Sequence, residues 1–211
     1  MKRFILVFLA IYICSNSVFA FSLKPQEQTG FVQDEQYVSI TNEANVFYAE
    51  NNINRAQELF LTIPEEKRSP QNWLLLGNIL QDQGKIQEAE FMYKKAITLD
   101  DNYYKAHYNL ANIYLNDGKT NMAIDEYKKV IKIKADYPYA HYNLACAYIN
   151  LEKYSKAKYE LYSAMDLKNT EPDFHYNMAF VLKKLGKEKD ANIYLEHYNK
   201  LMENNVQGNN F

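Results

Sequence analysis

Residues 105–114 read KAHYNLANIY, residues 139–148 read YAHYNLACAY, and residues 173–182 read DFHYNMAFVL. The triplet His-Tyr-Asn recurs at intervals of 34 residues, at His107, His141 and His175. A fixed period of this length is the mark of a stacked-repeat architecture, in which each unit buries its apolar face only against its neighbours. Extending the period outward puts four blocks in register, 70–103, 104–137, 138–171 and 172–205. In each block positions 4, 7, 8 and 11 are apolar, aromatic or small apart from His at 4, a spacing that lays one stripe along a helix of about thirteen residues. Gly or a polar residue near position 15 ends that first helix, helix A. A second, helix B, carries Ala at position 20 (Ala89, Ala123, Ala157, Ala191) and a large apolar residue at 24 (Tyr93, Tyr127, Leu161, Leu195). The small residues at positions 8 and 20 let the two helix axes approach closely.

This pattern resembles the tetratricopeptide repeat, which has Trp-x2-Leu-Gly-x2-Tyr, then Ala-x3-Phe, then Pro. Its clearest copy here is Trp73-x2-Leu76-Gly77-x2-Leu80 followed by Ala89-x3-Tyr93. The resemblance implies an all-α fold, a right-handed superhelical solenoid of helix-turn-helix repeats. A degenerate repeat is expected at 37–69, with Ala44, Phe47, Ala56 and Phe60 near positions 8, 11, 20 and 24. It ends at Ile63-Pro64, because Pro cannot continue a helix, and "PEEKRSP" at 64–70 reads as an irregular joint. Position 28 is Ile97, Ile131 and Met165 in the first three full blocks and Asn199 in the fourth, which suits a terminal face. Residues 206–211 read as a disordered tail.

Residues 1–20 follow a different logic. Lys2 and Arg3 precede an apolar run from Phe4 to Ile13, and Val18-Phe19-Ala20 fits a small-residue cleavage site, the layout of a secretory signal. Export is expected, most simply to a periplasm; secretion, or inner-membrane anchoring by an uncleaved 4–20 segment, are the alternatives. A polar leader at 21–36 follows. Removing 1–20 also removes Cys14 and leaves Cys146 alone, so no intramolecular disulfide is available and Cys146 reads as a small packing residue.

The net charge of −2 over 211 residues argues against nucleic acid, which leaves a basic footprint. No phosphate loop, zinc motif, Cys/His pair or nucleophile elbow is present, and the acidic residues look scattered over solvent faces. The expectation is a binding module rather than an enzyme, with no cofactor. The His column is a poor metal site: residues one repeat apart are separated by roughly the ~8–10 Å of packed helices, whereas zinc draws its ligands to ~2 Å. His instead occupies the packing position that Trp73 fills in the first full block.

The other face of helix A carries the functional expectation, since in this family it lines the concave side of the superhelix. Position 5 holds Tyr108, Tyr142 and Tyr176, position 6 holds Asn109, Asn143 and Asn177, and position 9 holds Asn78 and Asn112. An Asn amide offers a donor and an acceptor together, as a backbone peptide group requires, and Tyr adds flat apolar area at low entropic cost. The Asn column looks like the asparagine ladder of the O-GlcNAc transferase repeat domain, which implies recognition of an extended segment of another protein by its backbone. The family's dicarboxylate clamp is disfavoured, because Leu74, Tyr139 and Asn143 stand where its three cations belong. The competing reading is a spacer, or an array that self-associates through its ends or convex face.

Overall fold

A computed structural model describes residues 35–208, and the segment read as a signal and most of that read as a leader lie outside the described residues. Ten α-helices and one 3-10 turn make up the described part, with no strand. The four full blocks become four hairpins: α3 (Pro70–Asp82) with α4 (Ile86–Leu99), α5 (Tyr104–Asn116) with α6 (Thr120–Ile133), α7 (Pro138–Asn150) with α8 (Tyr154–Leu167), and α9 (Pro172–Lys184) with α10 (Glu188–Gly208). Every helix A has 13 residues. Ahead of them, α1 (Glu35–Ala49) and α2 (Ile53–Thr62) form a further hairpin, followed by the 3-10 turn Glu65–Lys67. Two boundaries differ from the sequence reading. Helix α1 begins at Glu35, inside the segment read as leader, and α10 runs to Gly208, into the segment read as a disordered tail.

The turn within each hairpin follows from backbone conformation. Gly84, Gly118 and Gly186 hold φ of 75°, 72° and 73°, the left-handed conformation that ends a helix at little cost only for glycine. In the third block Glu152 takes the same position at φ 54°, and Asn51 does so in the α1–α2 hairpin at φ 61°. The first full repeat starts from a capping box. The Ser69 hydroxyl accepts from the Asn72 backbone N–H, and the Asn72 side chain accepts from that of Ser69, so two otherwise unsatisfied donors are met.

The core runs the length of the array. Trp73, Leu76, Leu80, Tyr93, Leu110, Tyr127, Leu144, Leu161, Met178 and Leu182 are buried, and Ala89, Ala123, Ala157 and Ala191 line the A–B contact. At Gly77 the approach leaves no room for a side chain, since a Cβ there would sit 2.5 Å from Tyr93 Cε1. Successive hairpins pack helix B against the next helix A, and α5 with α7 and α7 with α9 also meet directly. These A helices therefore line the inner side of the curve.

Candidate functional site

The inner face is organised by hydrogen bonds between repeats, each spanning 31 or 35 residues. Asn109 Nδ2 donates to Asn78 Oδ1 at 2.8 Å, and Asn143 Nδ2 donates to Asn112 Oδ1 at 2.9 Å. Asn143 Nδ2 also donates to the Tyr108 hydroxyl at 3.0 Å, and Asn177 Nδ2 to that of Tyr142 at 3.0 Å. At the third junction Cys146 Sγ stands in for the asparagine acceptor, 3.5 Å from Asn177 Nδ2. The position-6 asparagine thus clasps positions 5 and 9 of the preceding repeat. The expectation of a free donor and acceptor at every asparagine is not met. At Asn143 and Asn177 both amide hydrogens are directed into the protein, because stacking helices at this separation brings position 6 within reach of the previous helix A.

A second set of bonds lies within the repeats. The hydroxyl of the fully buried Tyr127 donates to Asn112 Oδ1 at 2.6 Å, and that of Tyr93 lies 2.9 Å from Asn78 Oδ1 and 3.0 Å from Gln81 Oε1. Positions 9 and 24 therefore vary together. Where 24 is Tyr, 9 is Asn, supplying an acceptor to a buried hydroxyl; where 24 is Leu161 or Leu195, 9 is Cys146 or Phe180. Burial raises the pKa of Tyr93, Tyr127 and Tyr142, and brings Tyr108 to about 12, so all four hydroxyls stay protonated near neutrality. Burial likewise pushes the Cys146 thiol up to about 11, an inert setting.

After these bonds, each of the first two junctions keeps one donor and one acceptor for an outside group. Asn78 and Asn112 present Nδ2, and Asn109 and Asn143 present Oδ1; all four side chains are partly exposed. Tyr108 and Tyr142 are half-buried in an aromatic row. Tyr108 meets Tyr137 edge-on at 5.1 Å, Tyr137 meets Tyr139 at 5.9 Å, and Phe174 lies between Tyr139 and Tyr142. Tyr176, 51% exposed, meets the Tyr198 ring at 5.4 Å.

The histidines sit on the opposite side of helix A, and two of them hold carboxylates that the sequence reading placed on solvent faces. His107 Nδ1 lies 2.5 Å from Glu126 Oε2, and His141 Nδ1 lies 2.8 Å from Glu160 Oε2. Their Nε2 atoms face the carbonyls of Asp101 and Ala135 at 3.0 and 3.3 Å. All four partners are acceptors, so each ring makes both bonds together only as the imidazolium. Burial alone would lower the His107 pKa; the bonds to Glu126 and the Asp101 carbonyl outweigh it and raise the value. The His107 and Lys129 bonds outweigh the opposing effect of burial on Glu126 and lower its pKa. A carboxylate at position 23, four residues before the apolar position 27, was the missed signal. In the fourth block Tyr194 replaces it, and the buried His175 Nδ1 has no partner among the described residues. No cluster of three metal-ligating side chains occurs among the described residues.

Comparison with known proteins agrees with this architecture. The family described as YpiA-like, C-terminal tetratricopeptide repeats matches residues 138–202, and other tetratricopeptide-repeat families match 70–103, 92–125 and 113–152. No curated protein matches the chain significantly. Among solved structures, "MamA RS-1 ArsTM double mutant" superposes with a TM-score of 0.73 at 18% identity, over 82% of this chain and 98% of that one. "MamA 41-end from Desulfovibrio magneticus RS-1" gives 0.69 at 22% identity, over 81% and 96%. "Crystal structure of MamA" gives 0.71 at 18% identity, over 78% and 96%. At these identities the likeness concerns the fold.

Proposed function

Because the chain belongs to the tetratricopeptide-repeat family, a class of protein-interaction scaffolds, we propose that it holds an extended segment of another protein along the inner face of the array, as a scaffold or assembly co-factor in the cell envelope. The carrying observation is the polarity that the clasps impose. At the Asn78–Asn109 and Asn112–Asn143 junctions, an internal N–H···O bond leaves one amide donor and one carbonyl acceptor side by side. A peptide group in an extended chain offers the complementary pair, so each junction can satisfy one backbone unit. The tyrosine rows beside it supply apolar area for side chains. The third junction has Cys146 in place of the asparagine and lacks the donor, so the grip is strongest over the first two. The envelope setting rests on the signal-like residues 1–20.

Asn78→Asp combined with Asn112→Asp is the test. An aspartate keeps the oxygen that accepts from Tyr93, Tyr127, Asn109 and Asn143 while removing the free Nδ2. Helicity and urea midpoint should hold, and capture of unstructured envelope-protein peptides on an array should fall at least tenfold. Unchanged capture by the folded double variant refutes the groove reading. N-terminal sequencing of the protein from cell fractions checks the export reading, which predicts a start after Ala20.

A further inference from the structure

The two ends of the array mirror each other. At each inner junction, helix A covers the preceding hairpin with the stripe formed by positions 3, 6 and 10, three and four residues apart on one helical face. Ala106, Ala140 and Phe174 at position 3, and Ile113, Ala147 and Val181 at position 10, are buried, while the position-6 asparagine bonds backward. The surface they cover includes position 24, fully buried at Tyr93, Tyr127 and Leu161.

At the last hairpin this surface is open. Leu195 at position 24 is 37% exposed, and it lines a groove of about 400 Å³ with Tyr176, Phe180, Lys183 and Ala191. At the other end, α1 shows the stripe that fills such a groove. Counting from Tyr37 as position 1, the stripe is Ser39, Asn42 and Val46: a small residue, an asparagine and a β-branched apolar residue. All three are exposed, Val46 by 54%. The end charges are also opposite. Glu35, Glu43, Glu50 and Glu58 stand against Arg55 alone in the first hairpin, and Lys183, Lys184, Lys187 and Lys189 outnumber Glu188 and Asp190 around the last A–B turn.

We infer that α1 of a second copy docks in the open groove between α9 and α10, continuing the repeat register from one chain to the next. Asn42 then takes the role of Asn143 and Asn177, donating to the Tyr176 hydroxyl, and Val46 enters beside Leu195 and Phe180. Such a contact is heterologous, joining unlike surfaces, and it propagates into an open filament rather than closing as a dimer. Glu43 and Asn199 replace the apolar residues of the inner junctions at positions 7 and 28, which makes the joint wetter, weaker and reversible.

Sedimentation velocity of residues 21–211, the chain expected after signal removal, across a hundredfold range of concentration tests this. Wild type should show mass rising with concentration and falling at high salt. Val46→Asp blocks the head and Phe180→Asp blocks the tail; both sites are exposed, and far-UV circular dichroism checks folding. Lys183→Glu is the tail variant should Phe180→Asp lose helicity. Each variant alone should associate at least tenfold more weakly. A mixture of head- and tail-blocked chains should form a one-to-one dimer and nothing larger, since one intact head meets one intact tail. Wild type that stays monomeric throughout, a blocked variant that associates like wild type, or a mixture that stays monomeric each overturns the inference. Asn78→Asp with Asn112→Asp leaves both ends intact, so loss of peptide capture and loss of association are separable.

Discussion

Tyr127 and Asn112 offer a sharp test of how the inner face is held. The Tyr127 ring is fully buried, and its hydroxyl donates to Asn112 Oδ1 at 2.6 Å, the same oxygen that accepts from Asn143. Tyr127→Phe removes the donor and leaves Asn112 satisfied by Asn143, so its cost is that of one net hydrogen bond, about 1 kcal/mol. Asn112→Ala does something different, because it strands a buried hydroxyl, at about 1–3 kcal/mol, and also deletes the Asn143 bond, for a total of about 2–4 kcal/mol. In the double variant no hydroxyl is left to strand, and the loss should return to about 1–2 kcal/mol, a coupling of about 2–3 kcal/mol between the sites. The third repeat already shows the compensated state, with Leu161 opposite Cys146. Urea unfolding of all four chains, followed by circular dichroism at one temperature and pH, measures the cycle. Costs that add to within about 0.5 kcal/mol would show that the hydroxyl finds another partner and that positions 9 and 24 are independent.

Glu152→Gly should stabilise the chain by about 1 kcal/mol, since a non-glycine residue in the left-handed region carries a steric cost of that order, read as a rise in thermal midpoint. Gly77→Ala should destabilise it by about 1–2 kcal/mol, overpacking against Tyr93 outweighing the gain in helix propensity, although Ala111, Ala145 and Ala179 occupy the same position elsewhere. The His107–Glu126 pair sets a pH window. The raised His107 contributes stability that is complete below its ordinary value of 6.5 and is lost as pH rises through its folded value. The lowered Glu126 contributes stability that is complete above 4.5 and is lost as pH falls through its folded value. The pair is therefore strongest between those limits, and Glu126→Gln should flatten the fall in urea midpoint as pH rises above 6.5, where wild type declines.

Much of this protein is written along the chain itself. Period, helix length, turn glycines and the small residues at 8 and 20 depend on local geometry and on the face each side chain takes, and both repeat every block. Trp73 and the His at position 4 mark the A–B contact for the same reason. What a side chain meets across a junction is not local. Asn143 reads in sequence as an amide facing a groove, with its donors and acceptor open. Only the stacking distance between α5 and α7 commits those donors to Tyr108 and Asn112, leaving its carbonyl and the Asn112 amine to the groove. Glu126 likewise reads as a solvent-facing acid until α6 packs on α5 and His107 meets it. The ends follow the same rule: the stripe Ser39, Asn42, Val46 acquires meaning only where the structure leaves it uncovered. The sequence by itself determined which faces exist, because periodicity is a property of the backbone. The tertiary structure decided which polar atoms are already satisfied, because hydrogen bonds between repeats depend on distances that no single repeat contains.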